Sequence, residues 1–491
     1  MDSATDRPNV LLIMADQHRW DCTGFNGNRQ IQTPHLDALA ADGVNYPNTI
    51  CPFPVCTPSR YSLVSGLYVH QHGGWNNHCT LDATIDTFPK VLRANGYATK
   101  AVGKMHYTPT YLDVGYDQMA LCEQDGDGRF DDDYHRALMA AGLIDAIDLY
   151  DQRREYRRSA PQEYWDAFGA LTSDLPEAWH STTWIGDRAV ETLEAWGEGG
   201  NLLTASFVKP HHPFDPPAPW DALYEPEALD PLPGWTPTVP AADSHPAYFD
   251  NAKLDQWSLR RIMAHYYGAI SHIDRQVGRM IEVLRRRGLY DKTLIIYLSD
   301  HGEYMGYHHM ILKQGHAYEP LVKVPLLIKY SHNVGKGAQS DVLSNLVDVA
   351  PTILGQTGLP VPDGMKGLDL AAPAATREIS FLENHPAGYY MARSRTHKLI
   401  WDRDPAKSQF FYLENDPFET RNIIHEPSAQ NLVAEYRDAI SRWLLFDSPV
   451  ALRLNPSTSQ IKQPNVPDAA GSQEVREYLH RMVQSHLTPT A

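Results

Sequence analysis

Thr293-Leu294-Ile295-Ile296-Tyr297-Leu298 stops abruptly at Ser299-Asp300-His301-Gly302. An apolar, β-branched run with no polar alternation reads as a strand buried on both faces, the habit of a parallel sheet. Three further runs share it. Val10 to Met14 ends at Ala15-Asp16-Gln17, Tyr97 to Val102 at Gly103-Lys104-Met105-His106, and Leu202 to Val208 at Lys209-Pro210-His211-His212. Helical patterns lie between them. The clearest runs from Leu259 to Arg287, with Ile262, Tyr266, Ile270, Ile273, Val277, Ile281 and Leu284 on one stripe and Arg285-Arg286-Arg287 before Gly288. Strands alternating with helices predict an α/β fold, a large mixed but mostly parallel sheet flanked by helices. Ligands of such sheets bind at the carboxyl ends of the strands, so the four polar strand ends are expected to converge on one rim.

A second stretch, Cys56-Thr57-Pro58-Ser59-Arg60, predicts a helix start. Thr57 suits an N-cap and Pro58 the first helical position, and Gly66 can close the helix after Tyr61 to Ser65. A group at position 56 would face free backbone donors, the positive end of the helix dipole and the Arg60 guanidinium. Such a place suits a nucleophile that attacks a tetrahedral oxyanion. As bare chemistry this is a cysteine of depressed pKa, or a buried cysteine ahead of an ordinary helix.

The 491 residues provide core enough for one large domain and a smaller one. A net charge of −17 disfavours nucleic acid and long sulfated glycans as main partners, though a local basic pocket would still take one small anion. Five cysteines, irregularly spaced, do not make a disulfide framework. No run reaches membrane-spanning length, and the apolar stretch behind the polar N-terminus is short for a signal core. Together these features read as a cytoplasmic protein with reduced thiols and no membrane partner.

Asp16 and Asp300 offer hard carboxylate oxygens, Gln17 a neutral oxygen and His301 an imidazole. With an oxygen from position 56, that set suits one divalent cation.

The Cys-x-Pro-Ser-Arg stretch resembles the signature of the type I sulfatases. Gly103-Lys104-Met105-His106 resembles their Gly-Lys-x-His motif, and Lys209-Pro210-His211-His212-Pro213-Phe214 their Lys-Pro-His-x-Pro-Phe motif. Ser299-Asp300-His301-Gly302-Glu303, then Gly306, His308, Lys313, Tyr318 and Glu319, follow the late signature, and Asn345 to Gly358 extends the match across about the first 370 residues. On these motifs the chain is identified as a member of the sulfatase family, within the alkaline phosphatase superfamily. The resemblance implies an alkaline-phosphatase-like sandwich. It also implies that a formylglycine-generating enzyme oxidises Cys56 to formylglycine, whose hydrated aldehyde is the nucleophile.

By the same resemblance Asp16, Gln17, residue 56, Asp300 and His301 would hold the metal. Arg60, Lys104 and Lys313 would offset charge on the sulfuryl group, His211 and Lys313 would protonate the leaving alcohol, and His106 would take the proton that expels sulfate. Many calcium-dependent members carry Asp-Asp and Asp-Asn where this chain has Asp16-Gln17 and Asp300-His301. The latter pairs are more similar to choline sulfatases and phosphonate monoester hydrolases, which leaves calcium, manganese and magnesium all open. The expected reaction is hydrolysis of a small-molecule sulfate ester. Its competitors are a phosphonate monoester or phosphodiester hydrolase with the same machinery, and a catalytically dead binding protein of the same fold.

Other polar residues have a plainer reading. His70 and His72 are expected to be packing or loop histidines, His308 either a supporting hydrogen bond or a substrate contact, and Asp125-Gly126-Asp127-Gly128 a solvated acidic turn. His212 sits where it could exchange roles with His211. Three regions are expected: a catalytic domain over 1–374, an antiparallel-sheet-plus-helix subdomain over 375–446, and a tail over 447–491 that is a mobile end or an oligomer contact. The stretches 107–181 and 215–257, poor in strand pattern, are candidate lids, with Trp75 to His78 as further candidates for substrate contact.

Overall fold

The computed structural model describes residues 7–124, 131–152, 154–238, 248–313, 315–450 and 469–487. The Asp125–Gly128 turn lies outside the described residues.

Fourteen described strands run in chain order: β1 (Asn9–Asp16), β2 (Val44–Asn45), β3 (Thr49–Ile50), β4 (Ala98–Gly103), β5 (Gln118–Leu121), β6 (Asn201–Pro210), β7 (Thr293–Ser299), β8 (Lys323–Val324), β9 (Leu326–Lys329), β10 (Ala338–Gln339), β11 (Ser380–Asn384), β12 (Tyr389–Arg393), β13 (His397–Asp402) and β14 (Gln409–Tyr412). Eight of them make one sheet in the order β10-β2-β9-β7-β1-β6-β4-β5. The five strands from β7 to β5 pair in parallel, whereas β9 is antiparallel to both β7 and β2. The sheet is therefore mixed and mostly parallel. Every residue of β1, β6 and β7 is buried, as strands covered on both faces must be.

The 31-residue helix Gln256–Arg286 covers one face, its stripe of Ile273, Val277, Met280 and Leu284 packed with Leu11, Ile13 and Ile295 of the sheet. Asp255 caps its start by accepting from Ser258 N. Its end is a turn with Gly288 at φ 68°. The helix Cys56–Ser65 lies against the other face, where Leu63 and Val64 share a core with Leu12, Met14 and Ile296.

β5 is a strand that the sequence reading left inside a candidate lid. It is four residues long and only partly buried, too short and too wet to carry an apolar pattern. At the other end of the chain, β11 to β14 form an antiparallel meander backed by the helix Gln430–Arg442. The structure is thus a mixed sheet with flanking helices and a C-terminal antiparallel-sheet domain. No described helix is long and apolar enough to cross a membrane.

Candidate active site

Because β1, β4, β6 and β7 are mutually parallel, their carboxyl ends open on one edge, and each delivers its polar residues there. The chain leaves β1 through Gln17 at φ 63°, an uncommon backbone state for a residue with a Cβ. Gln17 N donates to Asp300 Oδ1 at 3.1 Å, which ties the end of β1 to the end of β7. Gly103 closes β4 at φ 91°, and a Cβ there would lie 2.0 Å from the carbonyl oxygen of Ser206. Only glycine lets β4 approach β6 this closely and still turn Lys104 into the site.

The helix Cys56–Ser65 brings the thiol to the same edge, although it starts two residues earlier than the sequence predicts. Val55 is the N-cap residue, extended at φ −144°, and Cys56 is already helical. Thr57 does not cap: its hydroxyl donates to His106 O at 2.6 Å, while its N–H donates to Asn77 Oδ1 at 3.1 Å. Tertiary partners outbid the local cap. Gly66, at φ 62°, ends the helix as expected.

Asp16, Cys56, Asp300 and His301 form a fully buried group whose potential ligand atoms all lie within 4.8 Å of one another. Cys56 Sγ is 3.6 Å from Asp16 Oδ1, 3.2 Å from His301 Nε2 and 3.2 Å from Lys313 Nζ. His301 Nδ1 lies 2.9 Å from Gly302 O, so in the neutral ring that nitrogen carries the proton and Nε2 turns its lone pair toward Cys56. Gln17 Oε1 is buried with no hydrogen-bond partner among the described residues. Its amide nitrogen is held by Glu303.

Cations surround the acids. Arg60 donates from Nε to Asp300 Oδ2 at 2.7 Å and from a terminal nitrogen to Asp16 Oδ2 at 3.0 Å; the other terminal nitrogen reaches Lys104 O at 2.5 Å and Ser206 Oγ at 3.0 Å. Its donors thus serve the two carboxylates, the Lys104 carbonyl and the Ser206 hydroxyl. Lys104 Nζ sits 2.6 Å from Asp16 Oδ2 and donates to Gln124 Oε1 at 2.9 Å. Burial raises the Asp16 carboxyl, but Lys104, His211, Arg60 and Lys313 together hold it well below the usual carboxylate range. Burial and Asp16 likewise push the Cys56 thiol up, and Lys313, Lys104 and His301 bring it below its ordinary value.

Three histidines behave differently. His106 is buried with neither ring nitrogen partnered among the described residues, and burial, with Lys104 and Arg60 beside it, keeps its pKa far below normal. It is a neutral imidazole with a free lone pair. His211 Nδ1 contacts His212 O at 2.6 Å, so Nε2 accepts from Lys313 Nζ at 2.9 Å. His212 stacks on His211 with centroids 4.1 Å apart, and its Nε2 is 3.3 Å from Asp151 Oδ2. His211, not His212, therefore touches Lys313.

His70 pairs with Glu383 and the Ser448 carbonyl and His72 with Ser62, while His308 Nε2 makes a hydrogen bond with the Phe418 carbonyl, the first of its two expected roles. Sequence reasoning did not single out Gln124, which follows β5, or Ser206, in mid-strand. Neither belongs to a motif that spacing could expose.

A cavity of about 410 Å³ opens on the site, with Val55, Tyr248, Phe249 and Leu312 among its walls and Lys313 and His212 at its edge. A larger one of about 620 Å³, between Trp20 and Phe418, contains none of the candidate residues.

The family model described as Sulfatase matches residues 8–359. The chain belongs to the sulfatase family. It is an enzyme, and its reaction is the hydrolysis of a sulfate ester. A second model, N-sulphoglucosamine sulphohydrolase, C-terminal, matches residues 306–444. An arylsulfatase of Clostridium perfringens is 30% identical over 447 residues, 85% of this chain and 90% of that one. Arylsulfatase K of Bos taurus is 27% identical, over 85% of this chain and 78% of its own length. Among solved structures, the phosphonate monoester hydrolase of Agrobacterium radiobacter superposes with a TM-score of 0.71 at 23% identity, covering 89% of this sulfatase and 95% of its own chain. That likeness speaks for the shared fold alone.

Proposed function

We propose that this sulfatase cleaves a small sulfate monoester through a formylglycine made from Cys56, beside one divalent metal ion held by Asp16, Gln17, residue 56, Asp300 and His301. The reading is carried by the meeting of Cys56 Sγ with Asp16, His301 and Lys313, side chains from three distant segments. The sulfur stands where the oxygen of the oxidised residue would be. The donor set suits the ion: two carboxylates, an imidazole nitrogen left with its lone pair, and the unpaired Gln17 Oε1. Such an ion, when bound, polarises ester oxygens and acidifies a hydroxyl of the aldehyde hydrate.

The chain's own groups account for the proton traffic. One hydrate hydroxyl passes its proton to Asp16 Oδ1, the carboxylate oxygen beside residue 56, as its oxygen attacks sulfur and the bond from sulfur to the alcohol oxygen breaks; that proton later re-charges Lys313. Lys313, supported by His211, stands beside residue 56 and gives the departing oxygen its proton. His106 accepts the proton of the second hydroxyl; that oxygen re-forms the carbonyl as the link to sulfate breaks, and water then restores the hydrate. Arg60 holds Asp16 and Asp300 in place and offsets their charge, while Lys104 adds a preorganised positive charge. The aromatic and aliphatic walls beside Lys313 suit a compact alcohol with an apolar face.

The formylglycine-generating enzyme is the partner this scheme requires. Five free cysteines, four of them buried, support a reducing, cytoplasmic setting. The proposed organisation is a catalytic domain over 1–374, the antiparallel subdomain over 375–446 and a tail from 447.

Mass spectrometry of the peptide spanning residue 56 tests the nucleophile: replacement of sulfur by an aldehyde oxygen is expected. An unmodified thiol in fully active enzyme overturns it. A second reading, phosphonate monoester or phosphodiester hydrolysis, is favoured by Gln17 and His301 in the ligand set. Rates on matched aryl sulfate, phosphodiester and phosphonate monoester substrates decide between them. A higher kcat/KM on either phosphorus ester would sink the sulfate preference.

A further inference from the structure

Glu303 lies two residues beyond His301 and is completely buried. One of its oxygens, Oε2, accepts from Gln17 Nε2; the other, Oε1, accepts from Met305 N at 3.0 Å and from Leu312 N. An amide has one face that donates and one that accepts, and only the oxygen binds a cation. With Nε2 engaged by Glu303, Oε1 is the atom left over, and it is buried and unpartnered. Had the amide turned over, a donor would point at the place where a cation belongs.

We infer that Glu303 is a positioning residue: it sets the rotation of the Gln17 amide so that Oε1 faces the metal, and through Leu312 N it anchors the backbone next to Lys313. The inference rests on the proposed metal site. A chain with aspartate at position 17 would need no such device, because either oxygen of a carboxylate coordinates. A glutamine ligand makes the orienting acceptor necessary.

Glu303→Gln isolates the orienting role. The new side chain keeps an oxygen for Met305 and Leu312 but turns an N–H toward Gln17. To avoid two donors face to face, Gln17 must present its oxygen to residue 303 and its nitrogen to the ion. Titration calorimetry of chelator-stripped protein with manganese alone, and separately with calcium alone, is expected to show affinity weakened by about 10- to 100-fold. The exchange Gln17→Glu with Glu303→Gln re-forms the same hydrogen bond with donor and acceptor reversed and returns an oxygen to the ion. It should bind at least as tightly as the unaltered protein.

A purely structural Glu303 would lower the melting temperature while leaving affinity per folded molecule untouched. Folded Glu303→Gln with unaltered affinity therefore overturns the inference. So does an exchanged pair that stays weak, including the case where Glu303→Gln alone does not fold. If the unaltered protein binds neither of these ions nor magnesium, the metal-site reading itself fails and the inference goes with it.

Discussion

Among the described residues both nitrogens of His106 are buried and unpaired, and burial with Lys104 and Arg60 beside it keeps the ring neutral, its lone pair open to a proton. In the proposed reaction that lone pair takes the proton whose removal expels sulfate. His106→Ala is therefore expected to release one equivalent of alcohol per active site and then stall, with a steady rate lower by roughly 10²–10⁴-fold. Rapid-quench kinetics would show the burst, and intact-protein mass spectrometry the sulfate left on residue 56. Slow turnover with no burst would move His106 to the first step. Lys313→Ala should act on the opposite half. Its loss costs most when the departing alcohol is weakly acidic, so log kcat/KM plotted against leaving-group pKa should steepen. At this scale the residue types were legible and their contacts were not: Arg60 was visible as a cation near the nucleophile, but its commitment to both carboxylates depends on where β1 and β7 end.

At the scale of elements, the C-terminal sheet is fastened to the short helix Glu319–Val322, which follows β7, by a buried ionic cluster. Glu319 receives Arg393 at 3.0 Å and Lys398 at 3.2 Å, and Lys398 also pairs with Glu419 at 2.7 Å. Burial alone would raise the Glu319 carboxyl, but Arg393 and Lys398 take it far below its ordinary value. A depressed folded pKa means stability that is fully present above the unfolded carboxylate value of about 4.3 and is lost as pH falls below it. Glu319→Gln should destabilise the protein at neutral pH by about 3–5 kcal/mol if the cluster does not rearrange, read as a lower melting temperature. It should also flatten the acid limb of a plot of melting temperature against pH. A limb of unchanged slope would assign the acid transition to other carboxylates. The strands β1, β4, β6 and β7 and the long helix were legible because each carries enough apolar residues to show its period. β5 and the true start of the helix Cys56–Ser65 were not, since four wet residues have no period and a side chain drawn away by His106 cannot cap.

Over the whole molecule, the tail helix Ala469–Leu487 folds back onto its own chain. Val475, Leu479 and Val483 bury against Ile144, Leu149, Tyr150 and Tyr156, and Tyr478 Oη donates to Leu143 O at 3.0 Å. Three such side chains contribute about 1.5–3 kcal/mol each in area terms, an upper bound. Ending the chain after residue 468 should lower the melting temperature by a few degrees and increase binding of a hydrophobic dye. A truncated protein with the same melting curve would show that the contact adds nothing to stability.

From the sequence alone came the kind of sheet, the family and the candidate residues of the motifs, because strand ends and short motifs are local patterns; Gln124, Ser206 and the part of Glu303 did not. The division of labour among those residues was decided only in three dimensions. Which nitrogen of His301 is free, which histidine meets Lys313 and which way Gln17 faces are all set by partners hundreds of positions away or around a bend. Hydrogen bonding is directional, and no spacing rule encodes a direction.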